Sequence, residues 1–164
     1  MPTRPDWLEP LDTELGFTGS REEPSSEQRK WIVETLIRFV QHKAITGVHH
    51  GCCKGSDAFF HRAAKTVVDL GLERITLHPP LKRQWEMEIT EWDLANCVWY
   101  PRKDYLARDR DIVDNAGSLL ATPLHPKPRR GSGTWYTIHY AKDFGKSGWI
   151  CFTDGTVIPL EEAP

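Results

Sequence analysis

The sequence predicts an α/β fold, a three-layer sandwich in which helices cover both faces of a mostly parallel central sheet. Short apolar runs alternate with helical patterns along most of the 164 residues, and this alternation is typical of parallel strands joined by crossover helices. Hydrophobic residues make up 39% and charged residues 27% of the chain, which is the composition of an ordinary globular domain. We expect a lead-in segment over residues 1–14 and a single domain over residues 15–160.

Apolar runs bounded by turn residues mark the strands, which we predict at 15–18, 44–48, 74–77, 118–121 and 148–152, with an edge strand at Val157 and Ile158. Helical periodicity predicts helices that begin at Ser25 and span 57–70, 104–115 and 134–144. The first helix opens on Ser25-Ser-Glu-Gln28, which has the form of a capping box. Its apolar face comprises Ile32, Leu36, Phe39 and Val40.

The remaining segments carry weaker patterns. Residues 81–103 are predicted as a partial helix followed by an extended stretch, on which Trp85 and Trp92, seven residues apart, would share one helical face. Residues 161–164 are expected to fray.

Charge and hydropathy disfavour several classes of protein. The formal net charge is -2, whereas a protein that binds nucleic acid through its overall charge is strongly basic. The chain has neither the apolar core of a signal peptide at its start nor an apolar run that could cross a bilayer. We therefore expect a cytoplasmic protein with no membrane partner, for which nucleic acid is an unfavoured partner.

Four cysteines are then expected to be reduced thiols. Cys52 and Cys53 follow His49 and His50, but the spacing is not that of paired Cys-x-x-Cys zinc ligands. A buried, structural role for this cluster is favoured over zinc, and neither a metal nor a cofactor is predicted.

Three glycine-containing turns form the candidate site: 18–21, 51–57 and 129–134. Each precedes a predicted helix, whose first N–H groups are unpaired and electropositive, so a glycine turn there suits an anion such as phosphate. In a parallel sheet these turns open on one edge, where ligands bind. The alternative is that Gly, Ser and Asp are there for turn and cap geometry, and no dinucleotide or P-loop motif is present.

A fourth candidate element is the helix over 104–115. Arg108 lies four residues before Ile112, an apolar residue expected to anchor this helix in the core, so the guanidinium can reach the same edge. The candidate ligand-binding residues are Gly19, Ser20, Arg21, Gly51, Lys54, Gly55, Ser56, Asp57, Arg108, Gly131, Ser132, Gly133 and Thr134.

Taken together, these motifs resemble the SLOG superfamily, which includes the DprA and Lonely Guy proteins, and they are most similar to its small YspA-like bacterial and phage branches. The motifs occur in order over about residues 15–157: Phe17-Thr-Gly-Ser-Arg21, Gly51-x-x-x-Gly55-x-Asp57, Arg108-x-Arg110-x-Ile-Val, Leu119-Leu-Ala121 and Ser132-Gly-Thr-Trp-x-Thr-Ile138. The resemblance implies a Rossmann-like fold, homodimers or higher homo-oligomers, and a site for nucleotides or nucleotide-derived signals.

The resemblance also implies that the phosphate-binding residues are kept in this chain while a catalytic residue is replaced. The Lonely Guy signature Pro-Gly-Gly-x-Gly-Thr-x-x-Glu corresponds here to residues 129–137, in which the Gly-x-Gly-Thr is kept and Thr137 replaces the glutamate. Arg108 aligns with the catalytic arginine of those enzymes, and Asp109 replaces its lysine neighbour. A carboxylate stabilises the charge that develops on ribose, or activates water, when a glycosidic bond breaks, and threonine cannot do so.

Nucleotide binding is therefore the predicted function, and two alternatives stay open. One is a nucleoside 5′-monophosphate N-glycosidase or a related deoxyribosyl-transfer enzyme, with Arg108 and Asp57 as conditional catalytic residues. The other is a DprA-like module for single-stranded DNA, which the small size and near-neutral charge disfavour.

Overall fold

The computed structural model describes residues 14–164, in which seven strands form one sheet. The strands are β1 (Glu14–Gly19), β2 (Gly47–His50), β3 (Arg74–Leu77), β4 (Val98–Trp99), β5 (Ser118–Thr122), β6 (Ser147–Cys151) and β7 (Val157–Pro159). The α-helices are α1 (Ser26–Gln41), α2 (Ser56–Thr66), α3 (Glu91–Asn96), α4 (Tyr105–Asp114) and α5 (Gly133–Asp143).

The strand order is β4-β3-β2-β1-β5-β6-β7, and β7 alone pairs antiparallel to its neighbour. Helices α1 and α2 pack together with one core cluster, and α4 and α5 pack together with the other. The predicted three-layer α/β architecture is therefore confirmed, and it is Rossmann-like. The chain leaves β1 toward β2 and leaves β5 toward β6, so the strand order reverses between β1 and β5.

The amphipathic pattern of α1 explains its place in the core. Ser25 caps the helix, with its hydroxyl accepting from the Gln28 backbone N–H at 3.1 Å and the Gln28 side chain accepting from the Ser25 N–H at 3.0 Å. The four apolar residues predicted on one face are all buried. The Gln28 amide also donates to Pro123 O at 3.0 Å and Cys151 O at 2.9 Å, which ties the helix to the ends of β5 and β6.

Three local expectations were wrong or imprecise. The helix expected over 57–70 ends at Thr66 and continues as a 3-10 turn. In the 81–103 segment, Trp85 lies in a separate 3-10 turn and Trp92 in α3, so they do not share a helical face. Tight packing also replaces the expected fraying near residue 164, because Ala163 is buried and its carbonyl accepts from Lys142 Nζ at 2.7 Å.

The predicted lead-in, residues 1–14, lies outside the described residues except for Glu14, which begins β1. Within residues 14–164, no helix combines the length and the apolar character needed to cross a membrane.

Candidate functional site

A cavity of about 510 Å³ opens at the carboxyl ends of β1 and β5, where the strand order reverses. This is the position at which open α/β sheets bind ligands, and the volume lies within the range of small-molecule sites. The cavity is lined by Phe17, Thr18, Gly19, Ser20, Arg21, Glu22, Gly51, Cys53, Asp57, Tyr105, Arg108, Asp109, Ile112, Leu124, His125, Gly131, Ser132, Gly133 and Thr134.

Ten of the thirteen candidate residues line this cavity, and Lys54, Gly55 and Ser56 do not. Lys54 and Gly55 lie in the turn before α2, and Ser56 is the first residue of that helix, whose N-terminus contacts the turn after β1. Ser56 donates its backbone N–H to Ser20 O at 3.0 Å and its hydroxyl to Glu22 O at 3.2 Å. Both Ser56 donors at the N-terminus of α2 are therefore used by the turn after β1 rather than offered to the cavity.

Gly55 permits this contact between the two turns. Its φ is +86° and its ψ is -124°, a conformation that glycine reaches far more easily than other residues. A Cβ at this position would lie 2.2 Å from the carbonyl carbon of Arg21. Gly55 therefore serves close packing rather than contact with a ligand.

The N-terminus of α5 is the helix end that opens into the cavity. Ser132 caps the helix, because its hydroxyl accepts from the Trp135 N–H at 3.2 Å. Gly133 and Thr134 follow in the first turn, where backbone N–H groups have no acceptor within the helix. Gly131 has a φ of +83°, and a Cβ at this position would meet no atom of the described residues within 4 Å, so the space beside the start of the helix is open.

Arg108 projects from α4 into the same cavity and is only 8% exposed. Its Nη1 donates to Cys53 Sγ at 3.2 Å, while its Nε has no hydrogen-bond partner among the described residues. The position of Gly51 permits this arrangement, because a Cβ there would lie 3.3 Å from Arg108 Nε and 2.8 Å from Asp57 Oδ2. A buried donor without a partner is costly, and a guanidinium at a cavity wall suits an anionic or hydroxyl-rich ligand.

Asp57 is 7% exposed and holds the loop after β2 as well as lining the cavity. Its Oδ2 accepts from the Cys53 N–H at 3.2 Å. Burial raises the pKa of Asp57 to about 6, although the Arg108 charge and hydrogen bonds from the Cys53 and Gly51 backbone oppose that rise.

Asp109 is a cavity residue that the sequence reasoning did not include among the ligand-binding candidates. It is 6% exposed, lies beside Thr137 and has its Oδ1 3.7 Å from Arg108 Nη2. Burial raises the pKa of the Asp109 carboxyl to about 7, again against the effect of Arg108. The sequence held a signal, because Asp109 precedes the buried Val113 by four residues, as Arg108 precedes Ile112.

The histidines of β2 take part in buried hydrogen-bond chains beside the site. His50 Nδ1 accepts from the Cys52 N–H at 3.0 Å, and His50 Nε2 lies 2.9 Å from His61 Nδ1. His61 Nε2 lies 2.7 Å from Asp93 Oδ1. Burial lowers the pKa of both His50 and His61, so both are neutral at pH 7. The hydrogen bond from the Cys52 N–H then determines which ring nitrogen of each histidine carries the proton.

Among residues 14–164, one group of side chains has the residue types of a metal site: His61, Asp93 and Cys97. The positions of the histidine protons decide whether His61 can be a ligand there. Because His50 Nδ1 is an acceptor, His50 Nε2 carries the proton donated to His61 Nδ1. His61 Nε2 must then carry its own proton and donate it to Asp93, which leaves no lone pair for a metal. These hydrogen bonds from Asp93 through His61 and His50 to the Cys52 N–H instead hold in place the loop after β2, in which Cys53 lines the cavity.

Comparisons with known proteins support the fold and go no further. No family model matches the chain, and no curated protein matches it. Its structure is similar to the X-ray structure of TM1055, a target of the Northeast Structural Genomics Consortium, with a TM-score of 0.56 and 20% sequence identity. The similarity covers 84% of this chain and 72% of that chain. At this identity it shows a shared α/β fold, of the mostly parallel kind described above.

Proposed function

We propose that this protein binds a nucleotide or nucleotide-derived ligand, as a substrate or a signal, in the cavity at the ends of β1 and β5. The supporting observation is Arg108, a guanidinium side chain only 8% exposed that lines the same cavity as the open N-terminus of α5 and whose Nε has no hydrogen-bond partner among the described residues. A helix N-terminus alone is weak support, but a buried cation without a complete set of acceptors is a second and independent reason to expect an anionic or hydroxyl-rich ligand.

The cavity wall is divided by charge, and this division orients the proposed ligand. The first turn of α5 offers unpaired N–H groups, and Arg21 adds a guanidinium that lies 4.2 Å from the ring centroid of Trp85. This side suits a phosphate. Asp57 and Asp109 repel phosphate when ionised but accept hydrogen bonds from sugar hydroxyls, so the sugar belongs on their side, next to Arg108.

The proposed function differs from the sequence-based site in one respect. Phosphate recognition is assigned to α5 and Arg21, without Lys54, Gly55 and Ser56, since those residues do not line the cavity. The remaining candidates keep their proposed role. The SLOG resemblance remains part of this proposal and agrees with a nucleotide as the ligand.

Isothermal titration calorimetry with nucleoside 5′-monophosphates tests the proposal, with the matching nucleosides as phosphate-free controls. We expect the monophosphates to bind at least tenfold more tightly than the nucleosides, because a charge-assisted hydrogen bond contributes about 1.5–3 kcal/mol. Failure of the whole panel of mono-, di- and cyclic nucleotides to bind would overturn the proposal.

Gly133→Asp and Gly133→Asn form a matched pair that differs by one charge. A Cβ at Gly133 meets only ordinary contacts, the nearest being Asp109 Oδ2 at 3.6 Å, and an acidic residue in the first turn of a helix favours folding. We expect Gly133→Asp to bind monophosphate at least tenfold more weakly than Gly133→Asn while remaining folded. Equal affinities would show that the phosphate does not bind at α5.

A further inference from the structure

The loop between β5 and α5 carries three cations that lie outside the set of candidate residues. Lys127, Arg129 and Arg130 are all exposed, and none of them forms an ion pair with a carboxylate of residues 14–164. This local excess of positive charge occurs in a chain whose formal net charge is -2. Residues 126–130 are called the basic loop here.

Both ends of the basic loop lie at the cavity wall. His125 precedes the loop and Gly131 follows it, and both residues line the cavity. A Cβ at Gly131 would meet no atom of the described residues within 4 Å, so there is open space between the loop and the start of α5. The cations of the loop therefore border the mouth of the cavity on the side of the α5 N-terminus.

Hydrogen bonds hold the basic loop in this position. The His125 carbonyl accepts from Nε1 of the buried Trp135 at 3.1 Å. At the other end, the Arg129 carbonyl accepts from the Ser132 N–H at 3.2 Å. The Arg129 guanidinium also contacts His125 Nε2, so one cation of the loop touches a residue of the cavity wall. Cations held in place bind an anion with a smaller loss of entropy than mobile ones.

Carboxyls occupy the inner side of the cavity. Asp57 and Asp109 are both buried and both line it, and each repels phosphate when ionised. Asp109 Oδ2 lies beside the first turn of α5, 3.6 Å from the position of a Cβ at Gly133. A phosphate at the start of α5 therefore has a carboxyl on its inner side and the basic loop on its outer side. A second phosphate joined to the first is attracted outward, toward the loop.

We propose that the ligand is a nucleotide with two consecutive 5′-phosphates, a nucleoside 5′-diphosphate, and that the basic loop binds its outer phosphate through Arg129 and Arg130. This inference rests on the proposed function, which places the inner phosphate at the start of α5. The planar guanidinium forms paired hydrogen bonds with phosphate oxygens. Lys127 adds to the positive potential at the mouth, which attracts a multiply charged anion.

Isothermal titration calorimetry with the 5′-monophosphates and 5′-diphosphates of adenosine, guanosine, cytidine and uridine tests this inference. For the base that binds best, we expect the diphosphate to bind about fivefold or more tightly than the monophosphate, since each exposed ion pair contributes a modest part of that gain. The 3′,5′-bisphosphate of the same nucleoside is the matched control ligand. Its second phosphate is attached to the sugar, on the side of Asp57 and Asp109, so it should bind no more tightly than the monophosphate.

Arg129→Gln combined with Arg130→Gln tests the assignment to the basic loop. Both residues are exposed, so the variant should fold like the unchanged protein. Its preference for the diphosphate over the monophosphate should fall below about twofold. Arg38→Gln combined with Lys43→Gln is the matched control, because it also removes two exposed cations. These lie near the end of α1 that leads to β2, at the opposite edge of the sheet, and the preference should remain.

The outcomes separate this inference from the proposed function. Equal affinities for monophosphate and diphosphate would overturn the inference and leave the proposed function standing. A preference that survives in the variant of Arg129 and Arg130 would also overturn it, and so would a bisphosphate that binds as tightly as the diphosphate, because the second phosphate would then bind elsewhere. If no nucleotide binds, cyclic species included, both the inference and the proposed function are overturned.

Discussion

Gly55→Ala is expected to destabilise the domain by about 2–5 kcal/mol, whereas Gly131→Ala is expected to destabilise it by about 1 kcal/mol. The two glycines nevertheless have nearly the same φ, +86° and +83°. At both positions the substitution forces an L residue into a backbone region that glycine prefers. Only at Gly55 does the new methyl also meet backbone, since its Cβ would lie 2.2 Å from Arg21 C and 2.2 Å from Arg21 O. At Gly131 no atom of the described residues lies within 4 Å of that position.

Urea denaturation of the two variants and the unchanged protein measures this difference directly. Gly131→Ala is the matched control, because its φ is nearly the same and its Cβ would meet no atom of the described residues within 4 Å. The Gly55 variant should also lose affinity for nucleoside monophosphates beyond its loss of stability, since the clash moves the turn that carries Arg21. Equal stabilities of the two variants would show that the turns after β1 and β2 are not packed against each other as described.

Much of the fold is predictable from local sequence because its signals depend on near neighbours. The apolar face formed by Ile32, Leu36 and Phe39 recurs at helical spacing, and the cap at Ser25 is a four-residue pattern. Strand positions follow from apolar runs between turn residues, and the third strand was predicted at its observed bounds. The order of strands and the reversal between β1 and β5 then place the predicted turns at one edge.

The division of the glycine turns could not be predicted, because it depends on a contact between segments far apart in the chain. In the sequence, Gly55 and Ser56 look like a phosphate-binding turn before a helix. In the fold, Ser56 donates to Ser20 O and Glu22 O, so the Ser56 donors that the pattern offers to a ligand are already used. The same residue types serve packing in one turn and remain open in another, the one before α5.

Asp109 was missed as a cavity residue because its local sequence is typical of an exposed helix face. The run Arg108-Asp109-Arg110-Asp111 has the alternating charges of a solvated helix face. Helical spacing nevertheless puts Arg108 and Asp109 inward, one turn before Ile112 and Val113, and only the sheet and α5 show that this inward side lines a cavity. Burial of the charges is a tertiary property, and so are the raised pKa values that make Asp57 and Asp109 chemically interesting.

His78→Gln is expected to flatten the dependence of stability on pH, reducing the slope between pH 6 and pH 4 by about 1.4 kcal/mol per pH unit. His78 is 1% exposed, and burial, followed by the effect of neighbouring His49, lowers its pKa to about 3. In the unfolded chain the pKa of a histidine is about 6.5. Between these values the unfolded state binds one proton that the folded state does not, so stability is fully present above pH 6.5 and is lost as pH falls.

Glutamine removes this titration while keeping a polar group for the contact of His78 Nε2 with His49 Nδ1, which is 2.9 Å long. Urea denaturation at pH 7, 6, 5 and 4 measures the slope, and its difference from the unchanged protein is independent of any constant loss that the substitution causes. His139→Gln, on the partly exposed surface of α5, is the control for replacing a histidine outside the core. Parallel curves for His78→Gln and the unchanged protein would mean that His78 is protonated in the folded state. That outcome is not expected, because His78 Nδ1 has no partner among residues 14–164. A protonated His78 would therefore have a buried N–H donor without an acceptor, and this cost favours the neutral ring and a low pKa.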